Sequence, residues 1–144
     1  MKARYLNVDL ELESDSDLTP FISFLEGKVL FLWKEITSNQ SSIGLETNLL
    51  FAPGPEENIA EFLNIIETLP PDLRHLWFNS GKKVIDIGYE CGSMEDPINS
   101  FISSGIVQRL AQLGCSINIT IYPCVEAPEE EGEEGTESDT ECCK

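Results

Sequence analysis

The run VDLELESDSD, residues 8–17, places Asp9, Glu11 and Glu13 at every second position. Carboxylates at i and i+2 on an extended strand share one face about 7 Å apart, within the range that acid/base pairs of hydrolases use. Such a pair divides into acid and base only where different surroundings push the two pKa values apart, and a row of acids on an open sheet face gives each one water. Acid/base catalysis is therefore not expected. Carboxylate oxygens also attract divalent cations, and Asp9, Glu11, Glu46, Asp86 and Glu90 would converge if their strands adjoined. No loop carries ligands at EF-hand offsets, so no metal site is expected, and a divalent-metal-dependent enzyme is the most distant reading.

The other chemistry-bearing residues give weaker patterns. His75, in DLRHLWF, has no G-x-S-x-G elbow or matching cysteine motif to work with, and reads as a structural or surface histidine. The five cysteines, Cys91, Cys115, Cys124, Cys142 and Cys143, are odd in number and lack C-x-x-C spacing, so neither a disulfide framework nor a structural zinc site is expected. Cys91 and Cys115 fall on the apolar phase of strands, where free cysteine acts as a small hydrophobe. Neither phosphate-cradling glycine motif follows a strand, which removes the usual nucleotide sites. No catalytic residue and no cofactor are expected.

The elements that must position the acids follow from periodicity. Residues Tyr5 to Glu13 alternate, with Leu6, Val8, Leu10 and Leu12 on one side and Asn7, Asp9, Glu11 and Glu13 on the other. A short helix follows in SDSDLTPFISFLEG, with Ser16 and Asp17 as N-cap candidates and Gly27 as its stop. KVLFLWKEI is apolar on both phases and reads as a second strand covered on much of both faces, with Trp33, like Trp77 further on, a plug of the core; the alternative is that Trp33, Trp77, Phe78 and Tyr122 anchor an interface. The third strand, Ser42 to Leu50, turns Ile43 and Leu45 inward and Glu46 outward. FAPGPEENIAEFLNIIETLPP carries a proline and two glutamates at its start and an apolar stripe of Ile59, Phe62, Leu63 and Ile66, which predicts a helix. PDLRHLWFNSG adds a short helical turn. Strand four, Lys83 to Cys91, turns Ile85, Ile87 and Tyr89 inward and Asp86 and Glu90 outward; SSGIVQRLAQLG then forms a helix capped by Ser104 and stopped by Gly114. CSINITIYP closes the series as a fifth strand with Ile117, Ile119 and Ile121 inward.

The order matches an α+β fold, a ferredoxin-like split βαβ sandwich (β-α-β-β-α-β) with an appended helix and fifth strand. Its first and third strands would lie centrally, the fourth beside the first, with helices on one face only. Asn7, Asp9, Glu11, Glu13, Glu46, Asp86 and Glu90 would then share one open, acidic sheet face. Residues 1–125 are expected to form this single domain and 126–144 a disordered acidic tail, in which Cys142 and Cys143 have no dedicated role.

Charge narrows the choice of partners. The 144 residues carry 26 acids and 9 bases, a net charge of −17. The tail holds 9 of those acids and 1 base, leaving 17 acids against 8 bases in the body. Such a field repels nucleic acid and anionic lipid and speeds encounter with a basic protein. No apolar run reaches the roughly 20 residues of a membrane span, and the N-terminus lacks a signal-like apolar region, so a cytoplasmic protein is expected. Its oligomeric state is left open.

From YLNVDLELESDSDL through LPPDLRHLWFNSGKKVIDIGYECG to RLAQLGCSINITIYP, about residues 4–123, the sequence resembles a family of small bacterial α+β domains of unknown function. Some members of that family look like immunity proteins encoded near polymorphic toxins. The resemblance rests on strand and helix patterns and transfers no functional site. Taken with the acidic face and net charge read above, it leads to a non-enzymatic binding protein, an immunity protein whose acidic sheet face occludes a basic toxin; the alternative is a stand-alone structural or regulatory domain.

Overall fold

The computed structural model describes residues 2–49, 54–92 and 97–124. The end of the third predicted strand at Leu50 and the acidic stretch 126–144, with Cys142 and Cys143, lie outside the described residues. Among those described, the fold is α+β, a mixed five-stranded sheet with four helices. In chain order these are β1 (Arg4–Ser14), α1 (Thr19–Leu25), β2 (Val29–Ile36), β3 (Ser41–Thr47), α2 (Pro55–Glu67), α3 (Pro71–Asn79), β4 (Lys82–Glu90), α4 (Ser104–Gln112) and β5 (Ser116–Tyr122).

The sheet order is β2-β3-β1-β4-β5, antiparallel everywhere except between β4 and β5. A two-residue alternation forces this to be a one-sided sheet. Val8, Leu10 and Leu12 of β1 point to the same side as Ile43 and Leu45 of β3 and Ile85 and Ile87 of β4, and all are buried. The helices supply the other half of the core through Phe21, Ile22, Ile59, Phe62, Leu63, Trp77, Ile106 and Leu110. Trp77 stacks on Phe21 with ring centres 6.1 Å apart, and its indole N–H donates to the Leu113 carbonyl at 2.9 Å, tying α3 to the end of α4.

Helix ends follow local chemistry, with two shifts from expectation. Gly27 and Gly114, at φ 78° and 70°, end α1 and α4 in the left-handed region that glycine enters without a Cβ clash. The α4 cap is Ser103, not Ser104: the Ser103 hydroxyl accepts the Ile106 N–H at 3.4 Å. Neither Ser16 nor Asp17 caps α1; Asp17 accepts the Thr19 N–H at 2.9 Å from just outside the helix, where Leu18 is the N-cap residue.

Two strands correct the sequence reading. The apolar phases of the second strand predict cover on much of both faces, but β2 is an edge: only Val29 is buried, while Leu30, Leu32 and Ile36 are exposed. Trp33 accordingly does not plug the core. It lies on the outer face, over Gly44, where a Cβ would fall inside the indole ring, and its N–H donates to Ser42 Oγ at 3.1 Å. At the opposite edge Ile117, Ile119 and Ile121 pair beside Ile85, Ile87 and Tyr89 on the helix side, yet they remain largely exposed because the helices do not reach them.

Trp77 is the largest fully buried side chain, and its removal leaves both a void and an orphaned carbonyl. Trp77→Ala should lower unfolding free energy by about 3–5 kcal/mol, read as an earlier urea midpoint with the slope unchanged.

Candidate functional site

The face opposite the helices is built by the residues that alternate with the core. The register sets Glu46 of β3, Asp9 of β1 and Asp86 of β4 in one row across three adjacent strands, with Leu30 beyond Glu46 and Asn118 beyond Asp86. Along β1, Asn7 precedes this row over Gly88, and Glu11 and Glu13 follow it. All seven residues expected on the acidic face stand on it, although they do not form one cluster.

Cations divide them. Lys82 Nζ sits 2.7 Å from a Glu11 carboxylate oxygen and 3.5 Å from one of Glu13, and Arg4 pairs with Glu90 at the sheet's other end. Three of the six carboxylates are thereby neutralised in part. Exposed pairs of this kind contribute little stability, typically below about 1 kcal/mol, but they do reshape the field. Asp9, Glu46 and Asp86 have no such partner: among the described residues no cation lies within ion-pair distance of them.

Neutral donors hold the unpaired row instead. The Asn7 amide donates to Asp9 at 3.0 Å and to Glu46 at 2.8 Å, and the Thr120 hydroxyl donates to Asp86 at 2.9 Å. Partial burial first, then the charge of Glu46 and a hydrogen bond with it, then Asp86 and Glu11, push the Asp9 carboxyl up to about 7. The centre of the row thus holds its proton far more readily than an ordinary aspartate. The row is flanked by apolar and aromatic surface, Leu30 beside Glu46 and Trp33 over Gly44, one strand from Glu11.

A cleft of about 200 Å³ opens at the end of the row, lined by Tyr5, Leu6, Asn7, Val8, Glu46, Thr47, Leu49 and Asn58. Its polar groups bind one another. Thr47 donates to Asn58, and the Asn58 amide donates to the Tyr5 hydroxyl at 2.8 Å. Burial chiefly, eased by that Asn58 bond, pushes the Tyr5 phenol up to about 12, so it stays neutral. Among the described residues no group of three or more His, Cys, Asp or Glu side chains is arranged to hold a metal ion. His75 is exposed on α3, its Nε2 2.8 Å from Asn79 Nδ2, away from the acidic row.

Sequence reasoning missed Arg4, Lys82 and Thr120, while Trp33 is readable as an interface anchor only as the alternative to a core plug. Lys82 and Thr120 become readable from alternation once the register is known, since they continue the outer phase of β4 and β5. No family model matches the chain, and comparisons with curated proteins and with solved structures find no match. No helix among the described residues is long and apolar enough to cross a membrane.

The raised Asp9 value has a defined sign. Below about pH 4 Asp9 is protonated in both folded and unfolded chains; between its ordinary value of 3.8 and about 7 only the unfolded chain ionises, so stability falls as pH rises through that window. Asp9→Asn should therefore stabilise the protein at pH 8, by about 1–2 kcal/mol after discounting for solvent screening, and change little at pH 4. Urea unfolding at the two pH values reads the difference.

Proposed function

We propose that this chain is a non-enzymatic binding protein whose outer sheet face receives a cationic surface of another protein. One observation carries the reading: the Glu46–Asp9–Asp86 row, three carboxylates side by side with no cation opposite among the described residues, on a face no helix covers. Like charges opposed across strands each cost a few tenths of a kcal/mol to about 1 kcal/mol, and a Lys or Arg from a partner relieves that repulsion. Trp33 and Leu30 add apolar and aromatic area beside the row, and an arginine that stacks on the indole while bonding a carboxylate fits both.

In its specific form the reading is a cytoplasmic immunity protein whose acidic face occludes a basic toxin, for instance a nuclease with a phosphate-binding cleft. The scaffold reads as a ferredoxin-like split βαβ sandwich; the order β2-β3-β1-β4 supports that, with α4 and β5 appended at the β4 edge. The net charge of −17 favours fast encounter with a basic partner and disfavours nucleic acid.

The test uses the purified product of the adjacent reading frame as the probe. A complex with the full chain is expected, with an association rate that falls roughly tenfold between low and moderate salt. A cation seated on the row favours ionised Asp9, so binding should strengthen as pH rises from 6 to 8 and release a proton near neutrality. The triple variant Asp9→Asn, Glu46→Gln, Asp86→Asn should lose at least tenfold in affinity while its melting temperature at pH 8 stays at or above that of the parent chain. Equal binding by the triple variant, or no complex at all, overturns the proposal.

A further inference from the structure

Cys91 follows the last residue of β4, and Cys124 comes two residues after β5. Glu90 pairs with Tyr122 in the parallel register, and the Cys91 amide extends that ladder by donating to the Tyr122 carbonyl at 2.9 Å. Past Pro123, Cys124 lies against Cys91. The Cys124 amide donates to Cys91 Sγ at 2.9 Å, the Cys124 thiol meets the Cys91 carbonyl, and the two sulfurs stand 3.2 Å apart as free thiols. The sequence pattern places Cys91 in apolar surroundings; it does line an apolar cleft just past the end of β4, and it also stands against a second sulfur, which the pattern does not foretell.

We propose that Cys91 and Cys124 are an oxidation site, a dithiol that a small or protein disulfide converts to an intramolecular disulfide clamping the edge strand β5 to β4. The sulfurs need approach by only about 1 Å to reach bonding distance. Cys91 lines an open cleft of about 400 Å³ with Gly92, Ile98, Ile119 and Ile121, which gives a reagent its way in.

With glutathione disulfide as oxidant the step balances. One cysteine thiolate attacks a glutathione sulfur, forming a mixed disulfide and releasing one glutathione thiolate. The second cysteine thiolate attacks the protein sulfur of that mixed disulfide and releases the other. Two thiol protons leave the protein and are taken up by the two glutathione thiolates, and the two electrons reduce the oxidant's sulfur–sulfur bond. The hydrogen bond with Cys91 is the main influence holding the Cys124 thiol above its ordinary range, so closure should quicken as pH rises.

Closure has a structural consequence. β5 pairs with β4 alone and its isoleucines are exposed, so a covalent tie spanning 33 positions of sequence restrains the sheet's least supported strand. The melting temperature should rise by about 10 °C.

The experiment takes the full chain, reduced and then incubated with glutathione disulfide, followed by alkylation of free thiols and peptide mapping without reductant. The expected product links the Cys91 peptide to the Cys124 peptide, with loss of two hydrogens and the higher melting temperature, both reversed by dithiothreitol. Cys115, packed against the core with its thiol pushed up to about 11 by burial, should stay reduced and be alkylated once the chain is unfolded, which makes it the internal control. In Cys91→Ser, Cys124 should accumulate as the glutathione adduct with no rise in melting temperature. Two results overturn the proposal: Cys91 and Cys124 both alkylated while Cys142 and Cys143 are oxidised, or Cys124 linked to the tail cysteines in preference to Cys91.

Discussion

The register of β1 between β3 and β4 is the constraint on which the rest depends. A strand whose side chains alternate between a dry and a wet face cannot slip by one residue without exchanging them. In β1 that exchange would drive Asp9, Glu11 and Glu13 into a core now filled by Val8, Leu10 and Leu12, and unpaired carboxylates there cost far more than burying any one apolar side chain returns. The hydrophobic core thus fixes the register, and the register alone decides that Glu46, Asp9 and Asp86 meet. The acidic row is a by-product of core packing in its position, though not in its composition. Ser, Thr or Gln at those outer positions would have satisfied the same alternation.

That distinction explains how much of the molecule is legible from sequence. Period-two and period-three-to-four patterns reveal the strands, the helices and the phase of each, because burial enforces them residue by residue. They are silent on which strands are edges. KVLFLWKEI is apolar on both phases, which a strand buried on both sides requires and an edge strand with exposed leucines also displays. Placing β2 at the edge moves Trp33 from the core to the outer face, where the missing Cβ of Gly44 makes room for its ring. The same limit applies to β5. The inward phase of Ile117, Ile119 and Ile121 is readable, whereas their exposure depends on how far the helices extend over the sheet, a tertiary property without a local signature.

The candidate site is legible in membership and illegible in charge. Alternation assigns seven residues to one face and they stand there, but Lys82 and Arg4 share it and pair with Glu11, Glu13 and Glu90. The effective site is therefore smaller than the acidic face, three carboxylates held by the Asn7 amide and the Thr120 hydroxyl. Neutral donors of this kind orient carboxylates without cancelling their charge. The repulsion consequently stays in the row and surfaces at Asp9, the middle member with an acid on either side.

A row so arranged is a better receptor for a cation than the wider face would be. Where a lysine already bridges two glutamates, an incoming charge must displace it and recovers only the difference between two similar pairings. Where the carboxylates are crowded and unpaired, the incoming charge removes existing repulsion as well as adding attraction, and it ionises Asp9 in doing so. The two ion-paired zones bracket the row along the sheet, Arg4 with Glu90 at one end and Lys82 with Glu11 and Glu13 at the other. Their resident cations repel a second cation at those ends, so the field directs a basic side chain toward the centre, beside Leu30, where the sheet offers both charge and apolar area.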